Sequence, residues 1–291
     1  FFDKKKRLVI SVDTYTEGTH FINFKQPDLV IKKILRSSIS DLLCKGVKPK
    51  YYFISGSGNK KTFSKKNLKV ITKSLKAEQN KYSIFLSGGD TVYSKNLSFT
   101  ITSIGFSNKI VFRNKAKQND DIYVTGNLGD SFIGLKVLQR KIKLNKNLMN
   151  YFKTMYYHPV LYKNIPDKLL SFANTSIDIS DGLICDLEKM INKQKLSYKI
   201  YLEKIPISQN LKKLIDLKII DKISSVSRGD DYQILFTAAP SKSKTISKTS
   251  KSLGIKISKI GKICANSHKS QIIDGNNMKI SLKNKGYFHR F

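Results

Sequence analysis

Hydrophobic and polar positions alternate in short stretches along this chain, and amphipathic stretches separate them, so the pattern predicts mixed strands and helices. In the first half, the predicted elements are strands at 7–12, 51–54, 82–86 and 97–105, and helices at 27–43 and 66–78. In the second half, they are strands at 122–126, 198–202 and 232–237, helices at 147–157 and 160–172, and an exposed helix or loop at 241–252. The fold class is therefore α/β or α+β. We place a domain boundary near residue 112, which gives domains of residues 1–112 and 113–291.

The segment from Thr175 to Leu183 predicts a strand-to-helix junction that carries two acids. Ile177 and Ile179 alternate with Asp178 as in a strand, and Ser180 is suited to cap a helix that starts at Asp181. Two carboxylates, a hydroxyl and free helix N–H groups together suit Mg²⁺ carrying a phosphate. The alternative is a capped helix with an incidental aspartate.

Three more aspartates are predicted to lie near element ends, next to Gly, Ser or Thr. Asp13 closes a strand, Asp41 lies late in its helix and Asp90 follows two glycines that let a ligand approach the backbone. Because the helix dipole disfavours a carboxylate at the position of Asp41, a cation or a partner such as Lys45 should compensate it. Each is individually a turn or cap candidate. Together with Asp178 and Asp181 they predict a polynuclear Mg²⁺ site, which phosphoryl transfer requires because its catalysis is mainly positioning and charge neutralisation.

The net charge of +33 raises the possibility of nucleic-acid binding. However, 48 of the 54 basic residues are lysine and they are spread over every segment, whereas bidentate phosphate and guanine recognition favours arginine. We therefore expect no specific nucleic-acid partner. No apolar run reaches the ~20 residues that cross a bilayer, so we expect no membrane contact. Cys44, Cys185 and Cys264 show no metal or disulfide spacing, which favours a reducing, cytoplasmic location.

A series of short motifs follows in order along the whole chain: Ser11-Val-Asp13-Thr, Glu17-Gly-Thr-His20-Phe21, Ser40-Asp41-Leu42, Gly88-Gly-Asp90-Thr91, Asp121-Ile-Tyr-Val-Thr-Gly126, Leu128-Gly-Asp-Ser131, Ile177-Asp-Ile-Ser-Asp-Gly-Leu183, Gly229-Asp-Asp-Tyr232 and Lys285-Gly-Tyr287. In these motifs and their order, the chain resembles the thiamine-monophosphate kinase family. The resemblance implies the fold of the aminoimidazole ribonucleotide synthetase superfamily, with an N-terminal domain that pairs with its twin into a dimeric β-barrel and a C-terminal α/β domain. It implies transfer of the ATP γ-phosphoryl group to thiamine monophosphate with several Mg²⁺ ions.

The resemblance also assigns expected roles to individual positions. The expected metal ligands are Ser11, Asp13, Asp41, Asp90, Asp178 and Asp181; the expected ATP contacts are Gly89, Asp90, Arg113 and Ser180; and the expected substrate contacts are His20, Asp230 and Tyr287. No covalent nucleophile is expected. Without a ligand role, Arg113 would be a solvated turn residue, His20 a surface loop histidine and Tyr287 a packed aromatic.

The chain departs from the family pattern in several places. An acidic pair that precedes the position of Asp13 in the family has no counterpart here, and we expect it upstream of Phe1. Val12 replaces a threonine, and Arg228, Asp230 and Gln233 replace residues of a Gly-Gly-Glu-Asp-Tyr-Glu motif. Two alternatives remain open: another ATP-dependent enzyme of the superfamily, and a basic nucleic-acid-binding protein.

Overall fold

The computed structural model of the chain describes residues 6–282 and 284–287, which divide into two compact units. The N-terminal unit contains the described residues up to Leu43 together with Val47–Lys109 and Tyr157–Pro159. The C-terminal unit contains Cys44–Gly46, Ile110–Tyr156 and the described residues from Val160 onwards. Among the described residues, no helix is both long and apolar enough to cross a membrane.

The N-terminal unit is a mixed sheet with two helices. Its elements are β1 (Arg7–Thr16), α1 (Pro27–Leu43), β2 (Pro49–Gly58), α2 (Lys65–Tyr82), β3 (Phe85–Tyr93) and β4 (Ser98–Ser107). The strand order is β1-β4-β2-β3, with β2 and β3 parallel and the other pairs antiparallel. Within the described residues this sheet does not close on itself, since β1 and β3 are its edges. A β-barrel would require a second copy of the chain.

The two faces of this sheet differ because side chains alternate along each strand. On one face Tyr15, Phe99 and Ile101 are buried, and the Ser103 and Ser38 hydroxyls hydrogen-bond at 2.8 Å between β4 and α1. The other face, which we call the open face, is formed by side chains that alternate with these. Its exposed apolar residues are Leu8, Ile10 and Val12 of β1, Phe53 of β2, and Phe85 and Val92 of β3. The described part of the chain leaves these apolar side chains exposed.

The strand expected at 82–86 lies further along the chain. β3 begins at Phe85 and runs to Tyr93, so Gly88, Gly89 and Asp90 lie within the strand and not in a turn after it. A Cβ atom on Gly89 would lie 1.8 Å from the Ile54 carbonyl oxygen of β2. Glycine is therefore required here for close contact between two strands, whether or not a ligand approaches.

The C-terminal unit is a six-stranded sheet with helices on both faces. Its elements are β5 (Asp121–Thr125), α3 (Asp130–Leu138), α4 (Lys146–Tyr157), α5 (Pro166–Leu169), β6 (Thr175–Asp178), α6 (Leu183–Ile191), β7 (Leu196–Tyr201), α7 (Gln209–Asp216), α8 (Lys222–Val226), β8 (Ile234–Ala238), α9 (Ser243–Leu253), β9 (Ile257–Ala265) and β10 (Gln271–Ile273). The strand order is β10-β7-β9-β5-β8-β6. Among the described strands of this unit, β10 and β7 pair in parallel and the other pairs are antiparallel.

Alternate residues of the central strands supply two separate cores. Ile122 and Val124 of β5 pack with Leu187 of α6 in one core, whereas Tyr123 stacks on Phe236 of β8 at 5.3 Å in the other. Burying each such side chain contributes about 1.5–3 kcal/mol. Because both faces are covered, these strands form continuous apolar runs, and the edge strand β6 is fixed through its pairing with β8.

The helix predicted over 160–172 is wrong in extent. Only Pro166–Leu169 is α-helical, and the residues from Val160 to Ile165 form turns and extended chain. Pro166 explains the late start of this helix: it has no N–H group for the hydrogen bond that a helix continuing from Val160 would need, whereas a proline is tolerated as the first residue of a new helix.

Candidate active site

The N-terminal unit brings together three of the residues expected to bind metal. Ser11 and Asp13 lie two residues apart on β1, so both face α1, where Asp41 lies near the end of the helix. The Ser11 hydroxyl donates a hydrogen bond to Asp41 Oδ2, and the Tyr15 hydroxyl donates to Asp13 Oδ2 at 3.3 Å. Lys45, the alternative partner for Asp41, donates instead to the carbonyl of Ser176.

Electrostatics mark this carboxylate pair as a position for a cation. Burial raises the pKa of Asp13 to about 7, and the neighbouring Asp41 carboxylate adds to the rise. Two carboxylates in contact cannot both ionise without a proton or a cation between them. All the donor atoms are oxygen and they come from rigid elements, a set that fits the hard cation Mg²⁺.

Asp90 lies elsewhere in the same unit. It is exposed on β3 and pairs in register with Ser55, which puts it on the open face, and its own Oδ1 accepts the Thr91 N–H at 2.7 Å. Two strands separate β3 from β1, so Asp90 is roughly 14 Å from Asp13 across the sheet and on the opposite face. The structure therefore does not bring Asp90 to the Asp13–Asp41 pair within one chain.

His20, an expected substrate contact, and Arg113, an expected ATP contact, lie in different surroundings. His20 lies in a tight turn after β1, where its Nδ1 accepts the Thr16 N–H at 3.0 Å and its ring meets Tyr15 edge-on. Because Nδ1 accepts this hydrogen bond, the proton of the neutral ring lies on Nε2. Arg113 is exposed in the segment between β4 and β5.

In the C-terminal unit, Asp178 ends β6 and is followed by the acidic loop, defined here as residues 179–182. The expectation that Ser180 caps a helix starting at Asp181 is wrong, because α6 begins at Leu183. Gly182 occupies the capping position with a φ of 134°, and a Cβ atom there would lie 2.2 Å from the Ser227 carbonyl oxygen. The chain therefore turns into the helix two residues later than predicted.

The sequence predicts free N–H groups in the acidic loop, but in the structure these groups are hydrogen-bonded. Those of Ser180, Asp181 and Gly182 all donate to Oδ2 of Asp186, at 3.0, 2.9 and 3.0 Å. The buried Asp186 carboxylate therefore takes the place in which a phosphate would otherwise be bound. The loop is left to act through its side chains.

Lys189, one turn further along α6, neutralises these acids. Its Nζ pairs with the Asp181 carboxylate and lies 3.5 Å from Asp186 Oδ1. Burial, followed by the charge of Asp181, raises the pKa of Asp186 to about 6, while Lys189 and the loop N–H groups oppose the rise. One ligand atom from each of Asp181, Cys185 and Asp186 lies within 4.8 Å of the other two, a spacing at which the three could hold a metal ion.

A second loop, residues 228–233, packs along the acidic loop. The Asp230 N–H donates to the Ser180 carbonyl and the Tyr232 N–H to the Ile179 carbonyl, both at 2.8 Å. Asp230 and Tyr232 have φ values of 64° and 52°, which cost about 1–3 kcal/mol each. Such strain is concentrated at functional sites. The Tyr287 N–H donates to the Asp181 carbonyl at 2.9 Å, so the structure brings Ser180, Asp181, Asp230 and Tyr287 together.

Sequence reasoning missed three charged residues around these loops: Asp186, Lys189 and Asp231. Asp231 is buried, and burial raises its pKa well above the usual range. Both its oxygens accept the Gly129 N–H, at 2.9 and 3.1 Å. Of the pair Asp230-Asp231, the second residue thus has a structural role. The sequence signal that could have identified Asp186 is its position four residues after Gly182, in the first turn of the helix that follows the loop.

Comparison with known proteins identifies the family of the chain. The model of the family described as AIR synthase related protein, N-terminal domain, matches residues 1–107. The thiamine-monophosphate kinase of Buchnera aphidicola subsp. Schizaphis graminum (strain Sg) is 34% identical over 98% of this chain and 88% of its own length.

Solved structures share the fold. A thiamine-monophosphate kinase from Stenotrophomonas maltophilia K279a superposes with a TM-score of 0.84 and 25% identity, covering 94% of this chain and 86% of its own. A structure of AaThiL complexed with AMPPCP and TMP has a TM-score of 0.85 and 23% identity, covering 99% of this chain and 89% of its own. The similarity in sequence runs through both units, and this chain belongs to the thiamine-monophosphate kinase family.

Proposed function

We propose that this chain catalyses the ATP-dependent phosphorylation of thiamine monophosphate to thiamine diphosphate. The observation that carries the proposal is its 34% identity to a thiamine-monophosphate kinase over 98% of the chain, with the predicted acids present in both units. A phosphate oxygen of thiamine monophosphate attacks the γ-phosphorus of ATP, and the bond from that phosphorus to the β,γ-bridging oxygen breaks to release ADP. No covalent enzyme intermediate is needed.

The proposed metal ligands are Ser11, Asp13, Asp41, Asp90, Asp178 and Asp181. Support is strongest for the first three, because two of them form a like-charge carboxylate pair that needs a counter-ion. Mg²⁺ held there would neutralise charge on the two phosphate groups that must approach each other. In the C-terminal unit Lys189 already serves as a positive partner of Asp181.

The remaining expected contacts stay proposals with specific support. For ATP they are Gly89, Asp90, Arg113 and Ser180; a guanidinium suits a phosphate, and Arg113 is exposed. For thiamine monophosphate they are His20, Asp230 and Tyr287. The half-exposed Tyr287 ring offers a face on which a cationic thiazolium can stack.

We propose that the enzyme is a homodimer joined through the open face of the N-terminal unit. Four strands of about ten residues present a surface of about 19 Å by 33 Å, roughly 600 Å² per partner. Two such surfaces reach the size of a stable interface, about 1,200 Å² in total. Two sheets of four strands facing each other would form the expected dimeric β-barrel. Asp90, which lies on this face, would then lie at the interface.

The free cysteines fit a reducing, cytoplasmic compartment.

An assay of ATP consumption tests the function directly. We expect Mg²⁺-dependent formation of ADP and thiamine diphosphate only when thiamine monophosphate is present. Replacing thiamine monophosphate by free thiamine should give no turnover, because the acceptor is a phosphate oxygen. A protein that binds RNA tightly and forms no thiamine diphosphate under these conditions would refute the proposal.

The pKa of Asp13 predicts how Mg²⁺ binding depends on pH. Without metal the folded-state pKa of about 7 exceeds the usual 3.8, so protonated Asp13 stabilises the fold at low pH and this contribution is lost as pH rises through about 7. Mg²⁺ requires the ionised carboxylate, so the apparent affinity should fall about tenfold per pH unit below about 7, with release of a proton on binding. Calorimetry in buffers of different ionisation enthalpy measures that proton. It should disappear in Asp13→Asn, and a pH-independent affinity would contradict the assignment.

A further inference from the structure

Asp186 has contacts that an ordinary capping residue does not have. Its side chain is 0% exposed, in the first turn of α6, and a single oxygen, Oδ2, receives three consecutive backbone N–H groups from the acidic loop. Its other oxygen, Oδ1, accepts no hydrogen bond in the described part of the chain and faces Lys189 Nζ at 3.5 Å. One carboxylate therefore contacts both the backbone of Asp181 and the ammonium group paired with the Asp181 side chain.

The carbonyl groups of the same loop are fixed from the other side. Those of Ile179, Ser180 and Asp181 accept N–H groups from Tyr232, Asp230 and Tyr287, at 2.8, 2.8 and 2.9 Å. With N–H groups and carbonyls both bonded, the peptide planes of the loop cannot rotate without breaking a hydrogen bond to a buried charge.

We infer that Asp186 is a positioning residue for the kinase reaction, one that fixes the acidic loop and so orients the Asp181 carboxylate. By occupying the three N–H groups with its own negative charge, it also excludes a phosphate from them. The loop is thereby committed to binding cations through its side chains. This inference rests on the proposed function for its kinetic part, whereas its structural part concerns the metal-free chain alone.

The first test is amide hydrogen exchange of the metal-free protein. In the unmodified chain the amides of Ser180, Asp181 and Gly182 should be protected. Asp186→Ala should lose protection at these three positions, whereas Asp186→Asn, which keeps an acceptor oxygen, should lose less. Unchanged protection in Asp186→Ala would overturn the inference, and this result does not depend on whether the protein is a kinase.

The second test separates positioning from general stability. Asp120→Asn is the matched control, because Asp120 is equally buried in the same unit and holds Lys117 N–H, Asn174 and Thr237 without contacting the acidic loop. We expect Asp186→Asn to lower kcat and to raise the Mg²⁺ concentration for half-maximal activity, each by about 10-fold, with up to about 100-fold for Asp186→Ala. Asp120→Asn should lower thermal stability while leaving both values unchanged per folded enzyme. Equal kinetic losses in the two variants, or a normal Mg²⁺ requirement in Asp186→Asn, would overturn the inference. If the unmodified chain shows no activity, the proposed function fails and the exchange result still stands.

Discussion

Asp178→Asn is expected to abolish turnover, with a fall in kcat of about 10³-fold or more, because charge neutralisation is the main catalytic contribution to phosphoryl transfer. Asp178 lies at the end of β6, where pairing with β8 fixes its backbone next to the acidic loop. Asparagine keeps the shape of the side chain and one oxygen, so the substitution removes the charge with little loss of packing. Steady-state kinetics at saturating ATP and thiamine monophosphate, over a range of Mg²⁺ concentrations, measure the effect.

Two observations keep this result from being confused with unfolding. The thermal midpoint of Asp178→Asn should lie close to that of the unmodified protein, and Asp120→Asn should keep its kcat although it too replaces a buried aspartate. Raising the Mg²⁺ concentration should not restore the activity of Asp178→Asn, because this variant lacks the negative charge of the carboxylate that is proposed to bind the metal. Near-normal activity would remove Asp178 from the proposed metal ligands.

Local pattern predicted much of the secondary structure but not the extent of several elements. α1 begins and ends within a residue of its prediction because Pro27 and a strongly periodic apolar face define it. The strand β3 was placed too early, since a Gly-Gly pair predicts a turn unless a neighbouring backbone requires glycine, and that neighbour, Ile54, lies far away in sequence. Tertiary contact of this kind is invisible to local pattern.

In the candidate site, too, the local sequence predicted some features, whereas others depend on tertiary contacts. Acidic residues next to Gly and Ser could be recognised in the sequence, and the structure brings Asp13 to Asp41 and Asp181 to Asp230. The sequence could not show that Asp90 and Asp13 lie on opposite faces of one sheet, because that depends on strand order. Nor could it show that Asp186 takes up the loop N–H groups, because a helix that starts at Leu183 and one that starts at Asp181 have the same apolar periodicity.

The open face gives the second large expected effect, a change of oligomeric state. Ile10 is 52% exposed there, between Leu8 and Val12 on β1. A charged side chain at this position would have to lose its water when the dimer forms. The free-energy cost of burying the unpaired charge exceeds the free energy that an apolar contact contributes there. Sedimentation should show the unmodified protein at twice its mass of 33.1 kDa and Ile10→Asp at the monomer mass.

Leu217→Asp is the matched control for this experiment. Leu217 is 68% exposed, but it lies after α7 in the C-terminal unit and outside the open face, so this variant should remain dimeric and active. Because Asp90 lies on the open face, the monomeric Ile10→Asp variant is expected to lose activity together with dimerisation, and to recover part of both at high protein concentration. A fully active monomer would show that Asp90 works without a partner subunit. An unmodified protein that sediments at 33.1 kDa would instead require another explanation for the apolar surface on β1 and β3.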